Sequence, residues 1–157
     1  MAAVTVPPKL LTLLIVHKLG RVLLGRKKRG FGEGYYNGFG GKVEPGETIE
    51  EAAIREMREE AGVDPVGLEC RGLLTFHFDD QERPWEVHVY HAADIRGEPC
   101  ETDEMAPVWF AVDDIPFDRM WADDPHWYPI FLQGKKFKGT FHFQNTHTMT
   151  SHAVQVL

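Results

Sequence analysis

Three glutamates in the middle of the chain have the side-chain type and spacing to bind a metal ion. Glu56, Glu59 and Glu60 are three and four positions apart, and side chains at that spacing are neighbours on one face of an α-helix. Like charges placed together destabilise a helix unless something compensates for them. A hard cation such as Mg²⁺ prefers carboxylate oxygens and often binds substrate phosphates as well. The alternative is a solvated acidic face held by Arg55 and Arg58.

A helix between Thr48 and Ala61 would position these carboxylates, and both of its ends are marked in the sequence. Thr48 followed by Glu51 predicts a capping box. Gly62 suits the left-handed position after the last turn. An apolar stripe beside the glutamates predicts that one face packs on a sheet. That stripe consists of Ile49, Ala53 and Met57, with Ile54 and Ala61 at its edge.

The segment before this helix is unusually rich in glycine, so its backbone is expected to turn sharply or to approach another group closely. Its glycines are Gly30, Gly32, Gly34, Gly38, Gly40, Gly41 and Gly46. The segment and the helix together resemble the Nudix box. The matching residues are Gly41-Lys42-Val43-Glu44-Pro45-Gly46-Glu47, then seven residues, then Arg55-Glu56-Met57-Arg58-Glu59-Glu60-Ala61-Gly62-Val63.

The Nudix resemblance implies a hydrolase of nucleoside diphosphates linked to another group, with a divalent metal as cofactor. It implies that Glu56, Glu59 and Glu60 bind the metal. It also implies that Arg55 orients these glutamates and that Gly40 supplies a backbone carbonyl. The expected ion is Mg²⁺, with Mn²⁺ as the alternative, and it would neutralise phosphate oxygens and activate the attacking water.

Several segments outside the box resemble one branch of the family, the animal MutT-homologue triphosphatases of oxidised purine nucleotides. The reaction this implies converts 8-oxo-dGTP, 2-oxo-dATP and related substrates to the monophosphate and pyrophosphate, which cleans the nucleotide pool and avoids DNA damage. The matching segments are Lys27-Lys28-Arg29-Gly30-Phe31-Gly32, Asn37-Gly38-Phe39-Gly40-Gly41-Lys42, Asp103-Glu104-Met105 and Met120-Trp121-Ala122-Asp123-Asp124.

The same resemblance assigns roles around the substrate. Asn37, Asp123 and Asp124 would hydrogen-bond the purine edge, and Thr12 would touch the base or sugar. Lys27 would face the sugar and triphosphate, and Glu104 would add a carboxylate at the metal or act as a base. The expected apolar walls are Phe31, Phe76, Phe78, Trp121 and Trp127. The remaining predicted substrate-binding residues are Phe39, Gly40, Gly41, Lys42, Trp85 and Ala122.

Some of these residues have an ordinary structural interpretation as well. Trp121 and Trp127 are of a type that usually packs in a core, and Asn37 is of a type that serves turns. Asp123-Asp124 before a proline is also a helix N-cap signal. As binding residues, two adjacent buried carboxylates would favour protonation of one member, so that one donates while the other accepts. The chain departs from the family pattern at two positions, Tyr36 and Trp85.

The remaining pattern predicts one α/β (α+β) domain over residues 1–157, a Nudix fold with a mixed sheet sandwiched between helices. Expected strands are Leu10 to His17 and Arg21 to Lys28, which form a hairpin, then Gly67 to Phe78, Trp85 to Ile95, Val108 to Val112 and Lys136 to Phe143, with a last strand near the C-terminus. A second helix is expected from Asp123 or Asp124 to about Gly134, with Pro125 as its first residue.

Composition excludes some classes of partner. The formal charge of −7 disfavours binding to polymeric nucleic acid, and the apolar run Leu10 to Val16 is too short to span a bilayer. Cys70 and Cys100 show no metal-ligand spacing and predict reduced thiols, with one chance disulfide as the alternative. We expect a cytoplasmic monomer that acts on a small nucleotide, with nuclear or mitochondrial presence left open. The competing functions are another nucleotide or dinucleotide substrate, or a catalytically silent nucleotide-binding Nudix domain.

Overall fold

The computed structural model describes residues 6–157, and one mixed sheet of eight strands runs through that region. The strands are β1 (Lys9–Lys18), β2 (Arg21–Lys27), β3 (Tyr36–Asn37), β4 (Asp64–Phe78), β5 (Trp85–Arg96), β6 (Met105–Ala111), β7 (Phe137–Gln144) and β8 (Thr148–Val156). Their order is β3-β2-β1-β5-β4-β7-β8, and β6 pairs with β2. The helices are α1 (Ile49–Ala61) and α2 (Asp124–Leu132), with short 3-10 turns at Val112–Asp114 and Phe117–Arg119.

The two helices cover opposite faces of the sheet. Leu13 and Ile15 of β1 belong to the apolar cluster that contains the side chains of α2. Leu14 and Val16 belong to the cluster that contains the side chains of α1. Successive strand residues point to opposite faces, so both faces of β1 are buried over residues 13–16, and this stretch is continuously apolar. The predicted mixed sheet between helices is confirmed.

Elements whose ends are indicated by short sequence signals start or stop where those signals predict. The hairpin of β1 and β2 closes with Lys18 paired to Arg21. In α1, Thr48 and Glu51 form the reciprocal capping box, and Gly62 ends the helix at a φ of 70°. The second helix starts at Asp124, as expected. Within residues 6–157, no helix has the length and apolarity needed to cross a membrane.

Two strands, β4 and β6, begin well before their predicted first residues, while β1 and β7 begin within one residue of theirs. β6 starts at Met105 instead of Val108 and contains Pro107. The proline is tolerated because β6 pairs only with β2 among the described strands. β4 starts at Asp64, and Gly67 lies inside it with a φ of 69°. A glycine that looked like a strand boundary in the sequence is therefore an irregularity within a long strand.

The glycine-rich segment lies along β1. Its residues 38–41, which follow β3, form a tightly packed wedge against that strand. β3 pairs with β2, and the residues after β3 continue beside β1 through bridges from Phe39 and Lys42. The backbones are so close that a Cβ added to Gly40 would lie 1.9 Å from the carbonyl oxygen of Thr12. The predicted close backbone approach is confirmed, and this wedge forms one side of the cleft described next.

Candidate active site

A cleft of about 330 Å³ opens beside the wedge, between the sheet and the start of α2. Glu60 of α1 also lines it. Most of the residues predicted to bind substrate are brought together there, although they come from distant parts of the chain. Those residues are Thr12, Lys27, Phe31, Asn37, Gly40, Gly41, Lys42, Phe76, Phe78, Trp85, Trp121, Asp123 and Asp124.

An adjacent pair of acids lies at the start of α2. Asp123 and Asp124 are 3% and 2% exposed. Asp123 does not cap the helix with its side chain; its carboxylate accepts a hydrogen bond of 2.9 Å from Nε1 of Trp127. Burial raises the pKa of Asp123 to about 6. Burial and the neighbouring Asp123 raise the pKa of Asp124 well above its usual range, so protonation of one member of the pair is favoured.

Other polar atoms around the cleft are buried without a hydrogen-bond partner among residues 6–157. They are Oγ1 of Thr12, Nε1 of Trp85 and Oδ2 of Asp124. A buried polar atom without a partner costs free energy, and a ligand in the cleft could supply partners. Asn37 also lines the cleft, while its Oδ1 accepts a hydrogen bond of 2.9 Å from the backbone N–H of Gly38. Asn37 therefore has the local turn contact as well as a place in the site.

Aromatic rings form the apolar part of the cleft. Phe31 stacks on Trp121 with ring centroids 4.9 Å apart and 15° between the planes. It also contacts Trp85, with centroids 5.1 Å apart. Phe76 and Phe78 stack on each other at 6.3 Å. These flat faces match the shape and chemistry of a purine ring.

Three predicted substrate-binding residues lie outside the cleft lining. Trp127 is fully buried in the core and supports Asp123 from behind. Phe39 is fully buried on the α1 face, because it lies opposite Leu14, whose side chain points to that face. Ala122 is exposed. The structure therefore corrects the predicted wall position of Trp127 and the predicted contact by Phe39.

The carboxylates of α1 have three different environments. Glu60 is 4% exposed and accepts a hydrogen bond of 2.8 Å from the backbone N–H of Gly40. Burial raises the pKa of Glu60 to about 8, against the lowering effect of that hydrogen bond. Glu56 is half-buried against Gly41, and burial raises its pKa as well. Glu59 is exposed. The predicted single patch is divided between the cleft and the solvent.

Arg55 is the positive centre of this region. Its guanidinium donates hydrogen bonds to Glu47 (2.7 Å), Glu56 (2.9 Å), Glu59 (3.2 Å) and the carbonyl oxygen of Lys42 (3.1 Å). These contacts tie α1 to the loop before it and fix the direction of Glu56. Arg58 pairs with Asp64 instead. Of the alternative in which Arg55 and Arg58 hold a solvated acidic face, the Arg55 contacts are present and the Arg58 contacts are not.

Glu104 is not part of the cleft lining, although its neighbour Met105 and its ion-pair partner Lys27 are. Its carboxylate accepts a hydrogen bond of 3.0 Å from Nε of Arg29 and lies 3.6 Å from Nζ of Lys27. Across residues 6–157, no three side chains of His, Cys, Asp or Glu are arranged to hold a metal ion.

Other residues of the lining were not predicted. They are Lys9, Leu11, Leu13, Gly32, Tyr35, Gly38, Val87, Met105 and Phe143. Lys9 reaches the cleft because β1 and β5 pair in parallel with Lys9 opposite Trp85. That register joins distant segments of the chain, and no local pattern in the sequence indicates it.

Comparison with known proteins identifies the family of the chain. Residues 9–131 match the NUDIX domain family. The chain is 52% identical over 144 residues to a Danio rerio protein named oxidized purine nucleoside triphosphate hydrolase, covering 92% of each chain. It is 47% identical to the Mus musculus protein of the same name, covering 94% of each. A crystal structure of a MutT protein from Bacillus halodurans superposes with a TM-score of 0.84 at 28% identity, covering 94% of this chain and 97% of that one. The chain belongs to the NUDIX family.

Proposed function

We propose that this protein hydrolyses oxidised purine nucleoside triphosphates, such as 8-oxo-dGTP and 2-oxo-dATP, to the monophosphate and pyrophosphate. One observation carries the proposal: a single cleft is lined both by the buried acids Asp123 and Asp124 and by Glu60 of the Nudix helix. The names of the Danio rerio and Mus musculus relatives support the same substrate class. Such an activity would remove damaged precursors from the nucleotide pool.

The acid pair explains how one cleft would accept different oxidised purines. Burial and Asp123 raise the pKa of Asp124 and favour its protonated form, so the pair would present both a donor and an acceptor. Moving the proton between the two carboxyls would exchange those roles. The hydrogen-bonding edges of 8-oxoguanine and 2-oxoadenine differ in such donors and acceptors. Asn37 and the free hydroxyl of Thr12 would complete the contacts to the base.

The residues of α1 fit a hard divalent cation in their chemistry. Burial and neighbouring carboxylates raise the pKa of Glu56 and Glu60, and a cation would offset both effects. Glu56, Glu59 and Glu60 would hold Mg²⁺ or Mn²⁺, with the carbonyl of Gly40 and the carboxylate of Glu104 as further ligands. When bound, the ion would neutralise phosphate charge and lower the pKa of the attacking water.

The protein's own groups would position the reactants. The backbone N–H of Gly40 holds the Glu60 carboxylate at the cleft. Arg55 donates a hydrogen bond of 2.9 Å to the Glu56 carboxylate and holds its direction. Lys27 lines the cleft and offers a positive charge to the triphosphate. Phosphoryl transfer depends mainly on such positioning and charge stabilisation.

The decisive experiment measures hydrolysis of dGTP and 8-oxo-dGTP in Mg²⁺ by the wild type and by Glu60→Gln. We expect the wild type to prefer 8-oxo-dGTP and to release monophosphate and pyrophosphate. Glu60→Gln should lower kcat by about 100-fold or more, the scale for a lost charge-stabilising group, while circular dichroism and urea unfolding show an intact fold. Equal turnover of the two nucleotides would refute the sanitation role, and an unchanged kcat would refute the role of Glu60.

The ranking of substrates depends on Trp85, where the chain departs from the family pattern. Trp85 packs against Phe31 with centroids 5.1 Å apart. A tryptophan at this position would narrow the base site or stack on the purine, and either effect would change the ranking among oxidised and methylated purine triphosphates. A panel that includes methylated purine triphosphates and dinucleotides separates these substrates. Nucleotide binding without turnover of any of them would indicate a catalytically silent Nudix domain.

We also propose that the protein acts as a single chain in the cytoplasm. Cys70 and Cys100 are both free and exposed, as expected for a protein of a reducing compartment. The reduced thiols support the earlier expectation over the chance disulfide.

A further inference from the structure

Two lysine side chains lie together at the mouth of the cleft. Lys42 bridges Leu11 of β1, and Lys9 is two residues before Leu11 on the same strand. Residues two apart on a strand point to the same face, so Lys9 projects on the side of Leu11 and Lys42. Both lysines line the cleft, and Nζ of Lys9 lies 4.4 Å from the ring centroid of Trp85.

Neither lysine is neutralised by the protein. In the part of the chain that the structure describes, no carboxylate lies within 4.0 Å of Nζ of Lys9 or Lys42. The nearby Lys27 and Lys28, in contrast, pair with Glu104 and Glu101. Burial, the Lys42 ammonium and Arg83 lower the pKa of Lys9. Uncompensated cations held close together repel each other, and an anion between them would remove that cost.

The position of the pair indicates which anion it would bind. Lys42 directly follows Gly41, which contacts the carboxylate of Glu56 on the Nudix helix. The pair is thus next to the expected site of phosphate cleavage. Trp85, below Lys9, belongs to the aromatic wall of the cleft. A nucleotide whose base contacts this wall could extend its phosphate chain over the two ammonium groups.

We propose that Lys9, together with Lys42, binds the phosphate chain of the substrate and thereby selects nucleoside triphosphates over monophosphates. This inference rests on the proposed function, because it presumes a nucleoside triphosphate substrate. Only Lys42 matches the motif of the family, and Lys9 is added by its position in the structure. An oligophosphate carries enough charge to contact both lysines, whereas a monophosphate carries a single phosphate group.

The test is calorimetric binding of two probes to the full chain at a fixed Mg²⁺ concentration. The probes are inorganic tripolyphosphate and 8-oxo-dGMP. Lys9→Met should weaken tripolyphosphate binding about tenfold, the size of one lost charge-assisted hydrogen bond, and should leave 8-oxo-dGMP binding unchanged. Lys9→Arg should restore most of the affinity. Lys135→Met removes an exposed lysine that does not line the cleft and should change neither affinity.

Each outcome has a distinct meaning. Tripolyphosphate binding that is unchanged in Lys9→Met overturns the inference. Equal weakening of both probes also overturns it, because it indicates a general disturbance of the cleft. Kinetics supply a second readout, in which Lys9→Met raises KM for 8-oxo-dGTP and changes kcat little. A wild type that binds tripolyphosphate through Lys9 but hydrolyses dGTP and 8-oxo-dGTP equally would refute the proposed function alone.

Discussion

At the scale of single residues, the adjacent acids Asp123 and Asp124 are costly to the folded protein. Both are almost completely buried, and burial and mutual repulsion each disfavour the charged form. Their position at the N-terminus of α2 offsets only part of this cost. Both acids line the cleft, so a role in binding the substrate base explains why the chain has them despite their cost in stability.

Asp124→Asn should become more stable than wild type as pH rises. It should also lose part of the preference for 8-oxo-dGTP over dGTP. The usual pKa of this carboxyl is 3.8, and in the folded chain it is well above that value. Between the two values the folded state binds the extra proton, so wild-type stability falls as pH rises. Asparagine does not titrate. The free energy of unfolding of the variant, relative to wild type, should increase by up to about 1.4 kcal/mol per pH unit in this window, measured by urea unfolding from pH 5 to 8.

The matched control is Asp118→Asn, which changes an exposed aspartate outside the cleft. It should show no comparable gain in stability and should retain the preference for 8-oxo-dGTP over dGTP. A stability difference for Asp124→Asn that does not change with pH would show that Asp124 is ionised in the folded protein.

The sequence motifs predicted much of the residue content of the site, because chain-local patterns carry it. Asn37 and Asp124 were identified from the segments that contain them, and both line the cleft. Lys9 was missed because its place depends on the register between β1 and β5. Phe39 and Trp127 were assigned to the cleft because a motif does not state which face of an element a side chain occupies.

At the scale of elements, the wedge between β3 and α1 positions both halves of the site. Gly40 donates its N–H to Glu60 and lies against β1, and Gly41 lies against Glu56. The neighbouring Asn37 and Lys42 line the cleft. Close packing of this segment therefore sets the distance between the Nudix helix and the base-binding side.

The variants Gly40→Ala and Gly41→Ala should have different effects: the first should reduce stability and the second should reduce turnover. An added Cβ at Gly40 would lie 1.9 Å from a backbone oxygen of Thr12, which cannot move without shifting β1. We expect a loss of about 3 kcal/mol or more of unfolding free energy, the upper range for overpacking. At Gly41 the Cβ would meet the Glu56 side chain at 2.7 Å. This variant should remain folded but lose turnover, as measured by urea unfolding and kcat; equal stability losses would contradict the distinction.

The elements differ in how well they could be predicted, for a physical reason. The ends of α1 depend on Thr48, Glu51 and Gly62, whose effects are local, and all were predicted. The order of the strands and the parallel pairs β1 with β5 and β4 with β7 depend on contacts between distant segments. Hydrophobic pattern alone does not determine those pairings. The long β4 was also cut short in the prediction because Gly67 resembles a boundary.

At the scale of the whole molecule, several histidines are held in their neutral form. His77 stacks on His142 with centroids 4.6 Å apart, and His126 contacts His152 at 3.9 Å. Burial is the main cause that lowers the pKa of His77 and His126, and the partner imidazole of each adds to it. Burial, with Arg71 and His17 nearby, lowers the pKa of His91 to about 4. Protonation of these rings is therefore unfavourable in the folded state.

Histidines with a lowered pKa should each reduce the free energy of unfolding in mild acid. The variant His91→Gln tests this for one of them. An unfolded histidine binds a proton below about pH 6.5, whereas folded His91 does so only near pH 4. The contribution of His91 to wild-type stability should therefore fall as pH drops from 6.5 to 4. Glu60 and the two buried aspartates shift stability in the opposite direction, but they are the same in both proteins, so the difference between wild type and variant isolates His91. Between pH 7 and 5, urea unfolding should show His91→Gln gaining about 1–2 kcal/mol relative to wild type; a constant difference would mean that His91 is protonated equally in the folded and unfolded chains.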